Sequence, residues 1–436
     1  MGPIDLTKTP LRPCLAHLAT VSLILLPFVN LLGLVGFVGV LLLRLGASSR
    51  DVLGWLWQRG FVAVAVALIL STGFASDRPE ALLQLANFLP YFLLLGALVT
   101  WLPTLPRPWA QLEEWASWLT LTTIPINLLA IAEYWLMAPT VMAQYSQQPA
   151  FAWLYRLSLD ENFGHRANVI FDHPNALACY LTLVLGLNLG LIFSQSAPCH
   201  RGGVWPYLGL RLRTQPAWLY LTAGLMLAGI FCSGSRNGLL VAIAAVMMVT
   251  FCGQRRRLVR LVGLGGILAI AGSALLGGIG GRQLSAGLFT NDPRIGVWRL
   301  ALAHIQANPL WGVGLGNYKL LYVPGSIPGY DTIYHAHNFW LHLAAEAGLP
   351  IAIAFSGLVG WGCYRGVIAL INAKNSPAQR WLIGGYGLAF LSCLLFSLFD
   401  VTLYEVRINL LAWLSLAVIY SAPELLDQLR RPQTKK

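Results

Sequence analysis

The sequence predicts an all-α polytopic membrane protein with about twelve transmembrane helices. Three observations carry that class. Of the 436 residues, 57% are hydrophobic and only 11% are charged, where an ordinary soluble domain carries about 25% charged residues. Apolar runs of roughly the 20 residues that a helix needs to cross a bilayer recur along the chain. The basic residues, which give a net charge of +12, gather in short connecting segments, as the positive-inside rule requires.

Taken in order, residues 15–44 form one apolar run, too long for a single comfortable span. Pro27, Asn30, Gly33 and Gly36 predict a turn near residue 30 and two short helices. Further spans are expected at about 52–71, 83–101, 118–137, 174–195, 217–233, 238–252, 258–279, 337–359, 381–399 and 407–421. Lys8 and Arg12 ahead of the first apolar run imitate a signal peptide, but no small-residue cleavage site follows. The start therefore reads as an uncleaved first span of a single membrane domain, 1–436.

Orientation follows from the basic residues. One side of the expected spans holds 20 of the 29, including Arg255, Arg256, Arg257 and the tail Arg430, Arg431, Lys435 and Lys436. That side is read as cytoplasmic, with both termini on it. No basic patch interleaved with aromatics appears, which excludes a nucleic-acid partner; membrane lipids are the expected surroundings. Cys14, Cys179, Cys199, Cys232, Cys252, Cys363 and Cys393 have neither a disulfide framework nor a metal-ligand spacing.

Three segments fall on the other side: 138–173, the turn Ser233-Gly234-Ser235-Arg236-Asn237-Gly238, and 281–336. In the last, Asp292 is positioned to cap a helix with Pro293 in its first turn, ending near Ala307 ahead of Asn308-Pro309. Arg236, flanked by Gly234 and Gly238, suits either of two roles: gripping a lipid-linked diphosphate, which a guanidinium binds bidentately, or sitting at the interface on ordinary lipid head groups. Arg294 and Arg299 lie five residues apart and point in different directions, and Arg294, beside the cap, is the choice for a second clamp. The glycines of Trp311-Gly312-Val313-Gly314-Leu315-Gly316 follow no strand, so they read as a tight turn and not as a dinucleotide fingerprint.

His337 is expected to open a spanning helix, where the macrodipole disfavours a further positive charge and suits the ring to accept a proton. His335 and His342 do not complete a zinc set with it along one helix, so no metal and no cofactor are expected. Asn338, His342 and Glu346 make a polar stripe at i, i+4, i+8, best read as a structural His342–Glu346 pair. Asp172-His173-Pro174-Asn175 opens another span at the same face, and Asp400, Tyr404, Glu405 and Arg407 mark the last turn there. His173, Asn338, Arg166, Arg299 and Arg407 are candidates to line a common cavity.

In this order the segments resemble the O-antigen ligase/polymerase superfamily of bacterial envelope glycosyltransferases. The resemblance covers 173–407 and rests on Phe171-Asp172-His173-Pro174-Asn175, Ser235-Arg236-Asn237-Gly238, Asp292-Pro293-Arg294 with Trp298, Asn308–Gly314, and His337-Asn338 with Gly348. Ile351 departs from the Gly, Thr or Tyr of the family pattern, which leaves ligase and polymerase both open. The resemblance implies a GT-C-type fold with a periplasmic site and a metal-independent, inverting transfer. The glycan would move from undecaprenyl diphosphate to a hydroxyl acceptor, lipid A-core for a ligase and a growing glycan for a polymerase. Arg236 and Arg294 would hold the diphosphate and His337 would serve the acceptor hydroxyl. A branch of the superfamily labelled as bicarbonate transporters also resembles the chain around Asp400-Val401-Thr402-Leu403-Tyr404; the histidine at 337 favours the enzyme.

Overall fold

The structure is a computed structural model that describes residues 11–145, 163–195, 217–253, 294–327, 331–373 and 376–430, with isolated positions at 148 and between 260 and 278. The described residues hold helices and turns and no strand. Every long element is therefore hydrogen-bonded within itself, as a bilayer demands.

Helices α1 (Leu11–Leu25) and α2 (Asn30–Gln58) turn at 26–29, where Pro27 and Asn30 predict it. α2 does not stop at residue 44. It runs on to Gln58 through a kink at Ser48 (φ −148°, ψ 37°), so the stretch between the apolar run 15–44 and the span expected at 52–71 is helical. The break falls instead at Gly60 (φ 85°), a left-handed position that suits glycine, and α3 (Phe61–Thr72) follows. Next come α4 (Arg78–Gln84), α5 (Leu89–Trp101), α6 (Pro108–Leu136) and α7 (Pro139–Tyr145). The second half holds α8 (Pro174–Gln195), α9 (Ala217–Cys232), α10 (Arg236–Gly253), α11 (Arg294–Ala307), α12 (Phe339–Ala347), α13 (Leu349–Asn372), α14 (Pro377–Phe396) and α15 (Val406–Arg430). Half of the positions of the span expected at 258–279, and the cap expected at Asp292, lie outside the described residues.

Among the described residues six helical stretches are long and apolar enough to cross a membrane: 30–58, 78–104, 108–136, 174–195, 349–372 and 406–429. Four shorter apolar helices accompany them, at 14–25, 61–72, 217–232 and 236–250. The span expected over 337–359 is two helices, α12 and α13, broken at Gly348 (φ 89°) and restarted by Leu349-Pro350. Proline at a first turn costs no hydrogen bond, whereas glycine there escapes the steric limit on positive φ.

The centre of the bundle is α8, buried at every position from Pro174 to Ser194. It packs on α14 backbone to backbone. A Cβ on Gly186 would stand 2.5 Å from Ala389 N, and one on Gly385 would stand 2.8 Å from Gly190 Cα. Small residues spaced by four let two apolar helices touch along their main chains, where dispersion between closely packed atoms replaces the hydrophobic drive missing inside a bilayer. That contact fixes the starting residues of α8 against the loop that leaves α14.

Candidate active site

Four loops converge at one end of the central helix: 163–173, 233–235, 335–338 and 397–402. Local chemistry fixes each of them. In the first, Val169 adopts φ 55°, an outlier for a β-branched residue, and its amide donates to the buried Glu133 carboxylate at 2.8 Å. In the second, Ser235 caps α10 by accepting from Gly238 N at 3.2 Å, which sets Arg236 at the first helical position. Packing alone requires the glycine at 238: a Cβ on it would stand 2.7 Å from Ala178 Cβ of α8.

His337 does not open a helix. Asn338 is the N-cap, its side chain accepting from Leu341 N at 3.0 Å and donating to Leu398 O at 2.9 Å. His337 stands just before it with φ 48°, a left-handed conformation that costs a non-glycine residue about 1–3 kcal/mol and gathers at functional sites. Phe339 N donates to Ser397 O at 2.8 Å, so the 335–338 loop is pinned to the loop bearing Asp400. The outcome is a His337 Nδ1–Asp400 Oδ1 approach of 3.5 Å, longer than a formed hydrogen bond and in the range from which catalytic contacts tighten.

Two other histidines flank the pair, and both have Nδ1 committed. His173 Nδ1 accepts from Asn175 N at 3.0 Å, and His335 Nδ1 accepts from His337 N at 3.3 Å. Each must then carry its proton on Nε2. Burial pushes the His173 ring down to about 4 against the pull of Asp400. Burial and the charge of His337 push His335 to about 4 as well. Burial works the other way on Asp400, but the His337 ring at its oxygen and the charges of His335, His337 and Arg294 outweigh it and hold the carboxyl below its ordinary range. The site thus combines an ionised carboxylate with two neutral imidazoles.

Residues 221–356 match the O-antigen ligase family. That match spans 136 of the 436 residues. No curated protein matches the chain. The resemblance to the O-antigen ligase/polymerase superfamily therefore stands, in a helical chain whose apolar stretches are long enough to cross a membrane. Within the matched stretch lie Arg236, Arg294, Arg299, His335, His337 and Asn338; His173, Asn175, Arg166, Asp400 and Arg407 lie outside it.

The matched segment supplies α11, which is described from Arg294 and ends at Ala307, where the sequence predicts its end. Arg294 is close enough for its charge to act on Asp400, His173 and His335. Trp298, one turn on, lies 6.5 Å from Phe399, while Arg299 is exposed. The glycines after α11 form a tight turn, with φ of 66°, 104° and 72° at Gly312, Gly314 and Gly316. Val313 N and Gly314 N each donate at 2.9 Å, to Ala345 O and Glu346 O. Glu346 accepts from Tyr318 N at 3.1 Å and lies 3.4 Å from His342 Nε2. That polar stripe braces the glycine turn.

Arg407 sits 4.4 Å over the Phe171 ring and 3.3 Å from Glu405, contacts that fasten the end of α15 to the 163–173 loop. Sequence spacing along one helix argued against a metal set, yet the fold assembles one: single ligand atoms of His335, His337 and Asp400 lie within 4.8 Å of one another. The third ligand comes from a different loop, which spacing within a segment does not show. Asn175 is visible in the sequence only as a member of the Phe171-Asp172-His173-Pro174-Asn175 motif; nothing local to it points to Asp400.

Proposed function

We propose that the chain is an inverting glycosyltransferase of the O-antigen ligase type. It moves a glycan from undecaprenyl diphosphate to a hydroxyl of lipid A-core at the periplasmic face of the inner membrane, within a GT-C-like bundle of about twelve spans. The observation that carries this reading is His337, held left-handed with Nδ1 facing Asp400 at 3.5 Å. The carboxylate assigns the ring proton to Nδ1 and leaves Nε2 to accept. His173 and His335, with Nδ1 taken by backbone amides, lack that arrangement.

In the reaction the acceptor oxygen attacks the anomeric carbon from the face opposite the diphosphate, which inverts the configuration. Its proton passes to His337 Nε2, and Asp400 stabilises the imidazolium that forms. The anomeric C–O bond breaks, and its electron pair leaves on the diphosphate. Arg236 and Arg294 bind the diphosphate and offset its growing charge, as preorganised cations do for departing phosphates. No separate nucleophile is needed.

Arg294 lends weight to a metal-free course, because a guanidinium whose charge reaches Asp400 competes with a cation there. Purified protein with the lipid-linked donor and lipid A-core tests the whole reading, and transfer that persists after exhaustive chelation supports the metal-free course. Loss on chelation with recovery on adding zinc would instead make His335, His337 and Asp400 a metal site. In cells lacking the gene, unligated lipid-linked polymer supports the ligase. Single repeats alone would mean a polymerase, and unchanged glycan with impaired bicarbonate uptake would mean a transporter.

A further inference from the structure

We propose that Asn175, braced by Arg166, is a positioning residue that sets the Asp400 carboxylate against His337 and ties it to the turn carrying Arg236. Asn175 Nδ2 donates to Asp400 Oδ2 at 2.6 Å, a short, charge-assisted contact. Its Oδ1 accepts from Arg166 Nη2 at 2.9 Å. Only one amide orientation satisfies both neighbours. The flipped amide would face oxygen to carboxylate and NH2 to guanidinium, so the network fixes the assignment.

Arg166 also donates from Nε to Ser233 O at 2.9 Å, two residues before the Ser235 cap that sets Arg236. A buried chain thus runs from the Arg236 turn through Arg166, Asn175 and Asp400 to His337. Arg166 and Asn175 are 9% and 8% exposed, so water screens these contacts little. Val401 N donates to Asp400 Oδ1 at 2.9 Å, and with Asn175 on Oδ2 the carboxylate has one orientation, which presents Oδ1 to His337. The chain joins the end that would hold the donor diphosphate to the end that would take the acceptor proton.

The catalytic consequence rests on the transferase reading; the orientation of the His337 ring does not. The test uses full-length protein in lipid nanodiscs with 15N-histidine, the His337 signal being identified by its loss in His337→Gln. Wild type should show a single Nδ1–H tautomer at His337. Asn175→Leu and the isosteric Asn175→Asp should each mix the tautomers. They should also lower kcat for transfer from undecaprenyl-diphosphate-linked glycan to lipid A-core by up to about 10²-fold, the scale of a misplaced catalytic group.

Donor KM should stay within about twofold in Asn175→Asp, because ground-state binding is not what is lost. Asn188→Leu removes another buried amide of the same helix, one that donates to Thr222 Oγ1 at 2.7 Å and Leu219 O at 3.2 Å. It should leave tautomer and kcat alone. An unmixed tautomer or an unchanged kcat in Asn175→Asp overturns the role, as does an equal loss in Asn188→Leu. If wild type transfers no glycan, the transferase reading falls, while the tautomer comparison still decides whether Asn175 orients the ring through Asp400.

Discussion

His337 Nδ1 lies 3.5 Å from Asp400 Oδ1, and the two residues reach each other from loops that follow different helices. The ring is brought there by a left-handed main chain, the carboxylate by bonds to both of its oxygens from Val401 and Asn175. A carboxylate held at both oxygens in this way requires little rearrangement when the facing ring takes a proton.

Replacing either member should therefore lower turnover without releasing the donor. His337→Ala should lose on the order of 10²–10⁴-fold, the usual scale for general base catalysis. Asp400→Asn should fall in the same range, because the ring loses its tautomer control and the imidazolium its counter-charge. His335→Ala should cost less, since that ring's Nδ1 only accepts from His337 N. Single-turnover rates at saturating donor measure all three, and near-normal turnover of His337→Ala at matched expression would remove it as the base.

The arginines should separate by position. Arg236→Ala and Arg294→Ala should each weaken transfer by roughly 1.5–3 kcal/mol, the worth of a charge-assisted contact. Lysine should restore part of it, because a point charge replaces a bidentate fork. Arg299→Ala, at an exposed position of α11, should matter less. Titration of activity against donor concentration reads the difference, and full activity of both Arg236→Ala and Arg294→Ala at limiting donor would rule out the clamp.

Much of this was legible in the sequence, and the reason is local. Pro27 and Asn30 mark their turn, Asn308-Pro309 ends α11, and the apolar run 174–195 gives α8 its limits. Each depends on residues within a few positions. The helix break at Gly348 and the extension of α2 past Arg44 differ from what hydropathy predicts, because hydropathy does not distinguish a bent helix from two and an amphipathic end continues a helix beyond the apolar run. The site itself was legible in its residue types and not in its pairing. Asn175 and Asp400 meet across 225 positions, and only the packing of α8 on α14 brings them together.

Acid should loosen the site in a defined window. His173 and His335 stand at about 4 in the folded protein against an ordinary 6.5. Between those values the unfolded chain binds protons that the folded one refuses, so stability rises with pH there and is lost as pH falls from 6.5 towards 4. Asp400 shifts downward, so its contribution is present above the ordinary carboxylate value and disappears only in stronger acid. Thermal melting in detergent should therefore drop between pH 7 and 4.5, and less steeply in His173→Gln. An identical slope in that variant would exclude His173 as a source.

The packing of α8 on α14 should govern both stability and activity. Gly190→Ala places a methyl 2.9 Å from Gly385 N and 3.0 Å from Trp381 O, atoms of the facing main chain that cannot rotate away. Gly387, two residues along α14 from Gly385, has nothing within 4 Å of its added Cβ. Alanine is favoured over glycine inside a helix by about 1 kcal/mol, so propensity alone would raise the melting temperature of both variants. Overpacking costs typically 1–3 kcal/mol, and at Gly190 it should win. Gly190→Ala should melt lower and Gly387→Ala should melt at or above wild type. Activity should fall with Gly190→Ala as well, because α8 begins at Pro174, beside Asn175, and α14 leads into Asp400. Forcing the two helices apart draws the amide away from the carboxylate that it orients. A Gly190→Ala protein as stable and as active as Gly387→Ala would show that this contact does not set the site.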